Sequence, residues 1–164
     1  CSGLKKHADI NRISSYFSLP PKTFCSWLHT INYVRNICAH HARLWNRTMN
    51  IEPAKLPFSQ KLDWISNPDK AETKKLYYFL CMLNYMLQTT NPTSSFKKRL
   101  KSLLAENKSV SLDAMGFQQD WMNEKMWSDK KENWKSRYLF CEKILPLHQI
   151  KTNHIGSVDF RTKR

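Results

Sequence analysis

The 42 residues between Asp9 and Glu52 contain no Asp or Glu, yet they carry Arg12, Lys22, Arg35, Arg43, Arg47, His29, His40 and His41. A two-metal nuclease needs carboxylates to hold its ions, and glycosidase chemistry needs a carboxylate pair, so this stretch can build neither. It can build an anion site. At about 100° per residue, Asn32, Asn36, His40, Arg43 and Arg47 stay within one polar helical face. Arg35 stands roughly 140° from His40 and must reach across with its long side chain. Adjacent His40 and His41 straddle the boundary between the polar and apolar faces, where one can titrate near neutrality and the other can pack. A solvated face usually mixes both signs of charge, and this one lacks acids. For zinc, the Cys25/His29 and Cys38/His41 pairs have workable helical spacings. They lie about three turns apart, too far to share one ion within a single helix, so neither metal nor cofactor is expected.

The elements that must position these groups are helical. Ile10, Ile13, Tyr16 and Phe17 recur at helical spacing from about His7 to Phe17, and Leu19-Pro20-Pro21 closes that helix. A long central helix starts near Lys22, with Phe24, Trp27, Leu28, Ile31, Val34 and Cys38 as an apolar stripe that can continue to about Trp45. Residues 48–70 hold Pro53, Pro57 and Pro68, with a short helix expected around Ser59 to Ile65. Ala71 to Thr90 reads as a buried helix with Leu76, Phe79, Leu80, Leu83 and Leu87 on one side and tyrosines flanking them, ended by Asn91-Pro92. Thr93 or Ser94 caps a further helix in which Lys97, Lys98, Arg99 and Lys101 surround Phe96, Leu100, Leu103 and Leu104. The Met- and Trp-rich segment from Leu112 to Trp127 suggests an irregular cap. The expected architecture is an all-α bundle over residues 1–129 with a basic C-terminal extension over 130–164.

Composition narrows the function further. With 27 Lys and Arg against 13 Asp and Glu, the 164 residues carry a formal charge of +14, as expected of a chain that meets polyanions. Three glycines and no phosphate-loop motif argue against a glycine-dependent nucleotide fold. Five cysteines without a C-x-x-C pair read as free thiols in a reducing cytoplasm. The longest apolar stretch, Leu76 to Leu87, is interrupted by Asn84 and falls short of the roughly 20 residues a membrane span needs.

The run Arg35-Asn36-Ile37-Cys38-Ala39-His40-His41-Ala42-Arg43-Leu44-Trp45-Asn46-Arg47 resembles the R-N-x-C-A-H-H-x-R-L-W-N signature of the Abi-like abortive-infection proteins, of the AbiD and AbiF type, within the HEPN superfamily. Leu19-Pro20-Pro21, Ser26-Trp27-Leu28, Met115-Gly116-Phe117 and Trp121 resemble the same family, so the likeness runs from about Ile10 to Trp127. Family members are commonly about twice this length, which leads us to expect a missing N-terminal half. The resemblance implies a HEPN-like helical bundle whose central helix carries a metal-independent endoribonuclease site, completed by a second copy of the motif across a dimer interface. His40 would then serve as acid or base, Arg35 would stabilise developing charge, and Asn36 would orient His40 or the phosphate. His41, Arg43 and Arg47 would bind neighbouring RNA. Such a bacterial cytoplasmic enzyme would be restrained by a partner, for a chain of this charge a structured small RNA.

Two rival classes are open. Ala8 to Leu28 could form a DNA-binding helix-turn-helix, although Phe24 and Trp27 at its reading positions look like core. A non-catalytic RNA-binding scaffold is the other, although Arg35 and His40 are both present. In either RNA reading, Lys97, Lys98, Arg99 and Lys101 offer a track for the backbone. Most tryptophans, including Trp27, Trp45 and Trp64, fall at apolar helical positions and are expected in the core.

Overall fold

A computed structural model describes residues 7–56 and 64–128. Among them are four α-helices and no strand: α1 (His7–Tyr16), α2 (Pro21–Ala39), α3 (Leu76–Thr90) and α4 (Phe96–Glu106), followed by two single-turn 3-10 helices at Trp121–Asn123 and Lys125–Trp127. The all-α expectation holds for the described residues, and 112–127 is the irregular cap that its composition suggested. The 130–164 extension, and residues 59–63 of the short helix expected from Ser59 to Ile65, lie outside the described residues. Trp64 and Ile65, at the end of that expected helix, are buried in non-helical chain.

Pro20-Pro21 separates α1 from α2 as expected, and Pro21 occupies the first turn of α2, where its missing N–H costs no helical bond. Phe17, at the end of α1, stacks on Phe24 of α2 at 5.3 Å, and this contact fixes how α1 is rotated. Ser14 is consequently the fully buried residue of α1, while Ile13, expected on the apolar face, is exposed.

The core surrounds α3 rather than α2. Its buried positions Tyr77, Tyr78, Cys81, Met82 and Tyr85 recur at one and four residues, so the tyrosines form the innermost stripe. Of the expected apolar side, Leu76 and Phe79 are buried as well, whereas Leu80, Leu83 and Leu87 are half-buried. Rings explain why the tyrosines go inward. On one side, Trp64 meets Trp27 of α2 at 5.3 Å, Tyr78 at 5.6 Å and Tyr85 at 5.8 Å. On the other, Tyr77 meets Phe117 at 4.7 Å, Phe117 meets Trp121 at 4.9 Å and Trp121 meets Trp127 at 5.7 Å. A leucine supplies less area and none of the edge-to-face attraction of such pairs, about 0.5–1.5 kcal/mol each beyond burial.

Polar anchors tie the proline-rich connection to this core. Trp27 Nε1 donates to the Ala54 carbonyl at 2.9 Å, Ala54 N–H donates to Ser26 Oγ at 2.9 Å, and Leu56 N–H donates to Tyr78 Oη at 2.9 Å. Tyr85 Oη donates to the Phe17 carbonyl at 2.7 Å, joining α3 to the end of α1. Ser66 donates both N–H and Oγ–H to the Glu124 carboxylate, at 2.9 and 2.6 Å, which fixes the cap. At Gly116, with φ of +84°, an added Cβ would lie 2.6 Å from Lys75 Cβ, so glycine is required by space and backbone alike. Among the described residues Cys38 and Cys81 are free thiols, but Cys25 is disulfide-bonded. The free-thiol expectation fails at Cys25, because chain spacing does not report which sulfurs meet in space.

Burial pushes Tyr78 up from 10.0 to about 12, with the Leu56 N–H at its oxygen opposing the shift. Burial likewise raises Tyr77 from 10.0 and Cys81 from 9.0. The unfolded chain therefore ionises these groups first, and their contribution to stability is intact below the unfolded values and lost as pH climbs through the folded ones. Denaturant midpoints should be insensitive to these groups below about pH 9 and fall from there towards pH 12, with Tyr78→Phe flattening the slope. A steady midpoint across that window, measured by circular dichroism, would mean that solvent reaches these groups.

Candidate functional site

The acid-free stretch is shaped by the way α2 is held and the way it ends. Thr23, Phe24, Trp27, Thr30, Val34 and Ile37 form its buried stripe, which leaves Asn32, Arg35 and Asn36 exposed on the outer side. The helix stops at Ala39, not near Trp45. Ala42 N–H donates to the Ile37 carbonyl at 3.1 Å and His41 N–H to the Cys38 carbonyl at 3.0 Å, the bond pair of a Schellman cap, with His40 as the capping residue. His41 takes the left-handed position with φ of 51°, where glycine is the usual occupant. The same cap closes α1, where Ser18 has φ of 52° and Leu19 N–H donates to the Ser14 carbonyl at 3.0 Å.

This reversal regroups the predicted residues. Arg35 and Asn36 remain on the last turn of α2, and Arg35 Nη1 donates to Asn36 Oδ1 at 3.2 Å. The long guanidinium thus reaches towards the face that carries His40, as the 140° offset requires. His40, with φ of −91° and ψ of 15°, is exposed at the helix end. His41 is also exposed and does not pack, contrary to the divided role expected of the pair. Arg43 and Arg47 leave the helical face because the chain has turned; both are exposed in the segment beyond, where Arg47 N–H donates to the Leu44 carbonyl at 3.2 Å. Trp45, expected in the core, is 37% exposed, since the periodicity that placed it inward ends six residues earlier.

The helix dipole does not assist an anion here. Phosphates favour helix N-termini, and this is the carbonyl end, equivalent to about half a negative charge. Two of its carbonyls are occupied by the cap, and the full charge of Arg35 outweighs the remainder, so attraction for an anion must come from side chains.

The second basic cluster divides. Lys97 is half-buried and its Nζ makes a weak 3.5 Å bond to the Ser128 carbonyl, and Lys101 is half-buried too. Lys98 and Arg99 are exposed and, with Ser95, Ser102, Leu103 and Glu106, line an open groove of about 440 Å³. Among the described residues no group of three His, Cys, Asp or Glu side chains could hold a metal ion, and the disulfide removes Cys25 from the Cys25/His29 pair. No helix of the described residues is long and apolar enough to cross a membrane.

The capped α2 end, with Arg35, Asn36, His40 and Arg43 around it, coincides with a known sequence family. Residues 1–46 match the Abi-like protein family. The Abi-like match spans α1, α2, the His41 reversal and Trp45, and stops short of Arg47 and of the core helix α3. The likeness read at Met115-Gly116-Phe117 and Trp121 lies beyond it. No curated protein and no solved structure matches the chain.

A left-handed non-glycine residue costs about 1–2 kcal/mol, part of which glycine would return to chain entropy. His41→Gly is therefore expected to raise the unfolding free energy by about 0.5–1 kcal/mol in urea titrations. A loss of stability instead would reveal that the His41 side chain holds the turn by contacts worth more than its strain.

Proposed function

We propose that this chain is a metal-independent endoribonuclease of HEPN type, working in abortive infection, with its site at the capped end of α2. The observation that carries the reading is the exposed grouping of Arg35, Asn36 and His40 in a 42-residue stretch free of carboxylates. RNA carries its own nucleophile in the ribose 2′-OH, so cleavage without a metal needs a proton acceptor, a proton donor and positive charge at the phosphorane. His40 transfers the proton, Arg35 stabilises the oxyanion charge, and Asn36, already bonded to Arg35, orients the guanidinium or the phosphate. Arg43 and Arg47 hold flanking phosphates, and Lys98 and Arg99 extend the electrostatic attraction. A structured small RNA is the partner that would restrain it.

The helix-turn-helix alternative loses support from burial. Phe24 is 3% exposed and Trp27 is 0% exposed, so the start of α2 cannot present them to a DNA groove. A binding scaffold without catalysis is separated from the enzyme by cleavage itself. Single-stranded RNA incubated with the protein in EDTA should give 2′,3′-cyclic phosphate and 5′-hydroxyl ends. His40→Ala and Arg35→Ala should each lower the rate by about 10²–10⁴ with the fold intact by circular dichroism, and Arg43→Ala should mainly weaken binding. Cleavage that vanishes in EDTA and returns with Mg²⁺ would overturn the mechanism.

A single motif offers His40 as one proton-transfer group, whereas the reaction uses a base and an acid. A second copy of the chain across a two-fold axis through the end of α2 is the economical source of the other. Light scattering of the active protein should report a dimer, and RNA affinity should fall about 10³–10⁵-fold between 50 and 200 mM salt if six to ten phosphates are engaged. A monomer that cleaves at full rate, or an affinity flat in salt, would contradict this arrangement.

A further inference from the structure

We infer that Trp45 is the nucleobase platform of this site, stacking one unpaired base beside the phosphate held at Arg35 and His40. The inference rests on the ribonuclease reading and deepens it, by assigning the site an unpaired strand and naming the side chain that selects it.

Four other tryptophans among the described residues, Trp27, Trp64, Trp121 and Trp127, are buried and each lies against at least one other ring. Trp45 departs from all of them, being 37% exposed and, among the described residues, touching no other ring. Its segment is not loose chain. Leu44 packs against the core, Met49 is 1% exposed, and the Arg47 N–H bond to the Leu44 carbonyl closes a backbone turn that includes Trp45. An aromatic plate is therefore held at the surface by anchored neighbours.

Charge identifies the occupant. Arg43 and Arg47, both exposed, flank the indole two residues away on either side, and no carboxylate occurs in the sequence between Asp9 and Glu52. An apolar protein surface would gain from the ring but would have to desolvate two cations without pairing them. An unpaired nucleotide offers a base to the ring and phosphates to the arginines, the combination that single-strand binding sites use. A duplex base is already stacked on both faces and has none to give. Reach is adequate, because Trp45 lies five residues after His40, at most about 17 Å along extended chain and less after the reversal at His41.

The test uses full-length protein carrying His40→Ala, so that RNA is bound without being cut, with a short single-stranded oligoribonucleotide, the same strand annealed to its complement, and the same strand with one abasic position. Adding Trp45→Ala should raise Kd for the single strand about 5- to 100-fold, the worth of one stacked base, and leave the duplex unchanged. Trp45→Phe should recover part of the loss and abolish most of the fluorescence quenching that RNA produces. The abasic position should weaken binding to the Trp45 protein more than to Trp45→Ala. Equal affinities with and without the indole, in folded protein that binds the strand well, would overturn the platform and leave the nuclease reading standing. Absence of any single-strand binding by the parent would remove both. If Trp45→Ala instead halved the particle mass and left Kd alone, the ring would belong to a protein interface and the inference would be wrong.

Discussion

The bond from Ala42 N–H back to the Ile37 carbonyl decides where every charged group at the end of α2 stands. Were the helix to run on to Trp45, Arg43 and Arg47 would lie in line with Asn36 and His40, and Trp45 would fall on the inner stripe. The reversal breaks that line. It leaves Arg35 and Asn36 on a rigid last turn, sets His40 at the rim, and sends Arg43, Trp45 and Arg47 onto a separate segment. Because Ile37 is itself buried, the carbonyl that accepts this bond belongs to a packed turn of α2, and the rim is held to that turn.

The rigidity originates in rings. Trp27 sits at 0% exposure between Trp64 and Tyr85 while its indole N–H is spent on the Ala54 carbonyl, so α2 is locked to both α3 and the proline-rich connection at one residue. Removing that ring would open a cavity, typically at a cost of about 3–5 kcal/mol, and release the helix that carries the candidate site. A chain of this size with only three glycines obtains its turns otherwise, from paired prolines at the start of α2 and from left-handed Ser18 and His41 at two helix ends.

How much of this was legible follows from which signals are local. Pro20-Pro21 announced the start of α2, and Phe24, Trp27 and Val34 are buried on the 3.6-residue period as expected, although Leu28 and Ile31 are half-buried and Cys38 is exposed, so the helix and its acid-free outer face could be read directly. Its end could not. Helix stops are read from glycine, and a Schellman cap built on histidine leaves no such mark, so the apolar period of the sequence runs on through Leu44 and Trp45. In α3 the leucines and tyrosines both follow helical spacing, and the choice between the two stripes was made by Trp64 and Phe117, which are remote in sequence. The division of the α4 cations, with Lys97 turned to Ser128 and Lys98 and Arg99 outward, was set in the same way by the cap.

Exposure also limits what the single chain can do. Between unit charges 4 Å apart, the attraction is about 1 kcal/mol in bulk water and about 4 kcal/mol at the effective dielectric of a protein surface. Arg35, Asn36 and His40 all stand in water, at a helix end whose dipole favours the positive charge of Arg35 and so tolerates the absence of a carboxylate partner. That tolerance keeps the cations unneutralised and available. It also means that the field at a bound phosphate is weak until water is displaced, whereas transition-state stabilisation depends on donors held in a water-excluded site. Nothing on α2 supplies that exclusion, because its apolar stripe is already committed to the core. A second surface laid over the α2 end would both dry the site and add another proton-transfer group, so the two requirements of the proposed chemistry converge on the same missing neighbour.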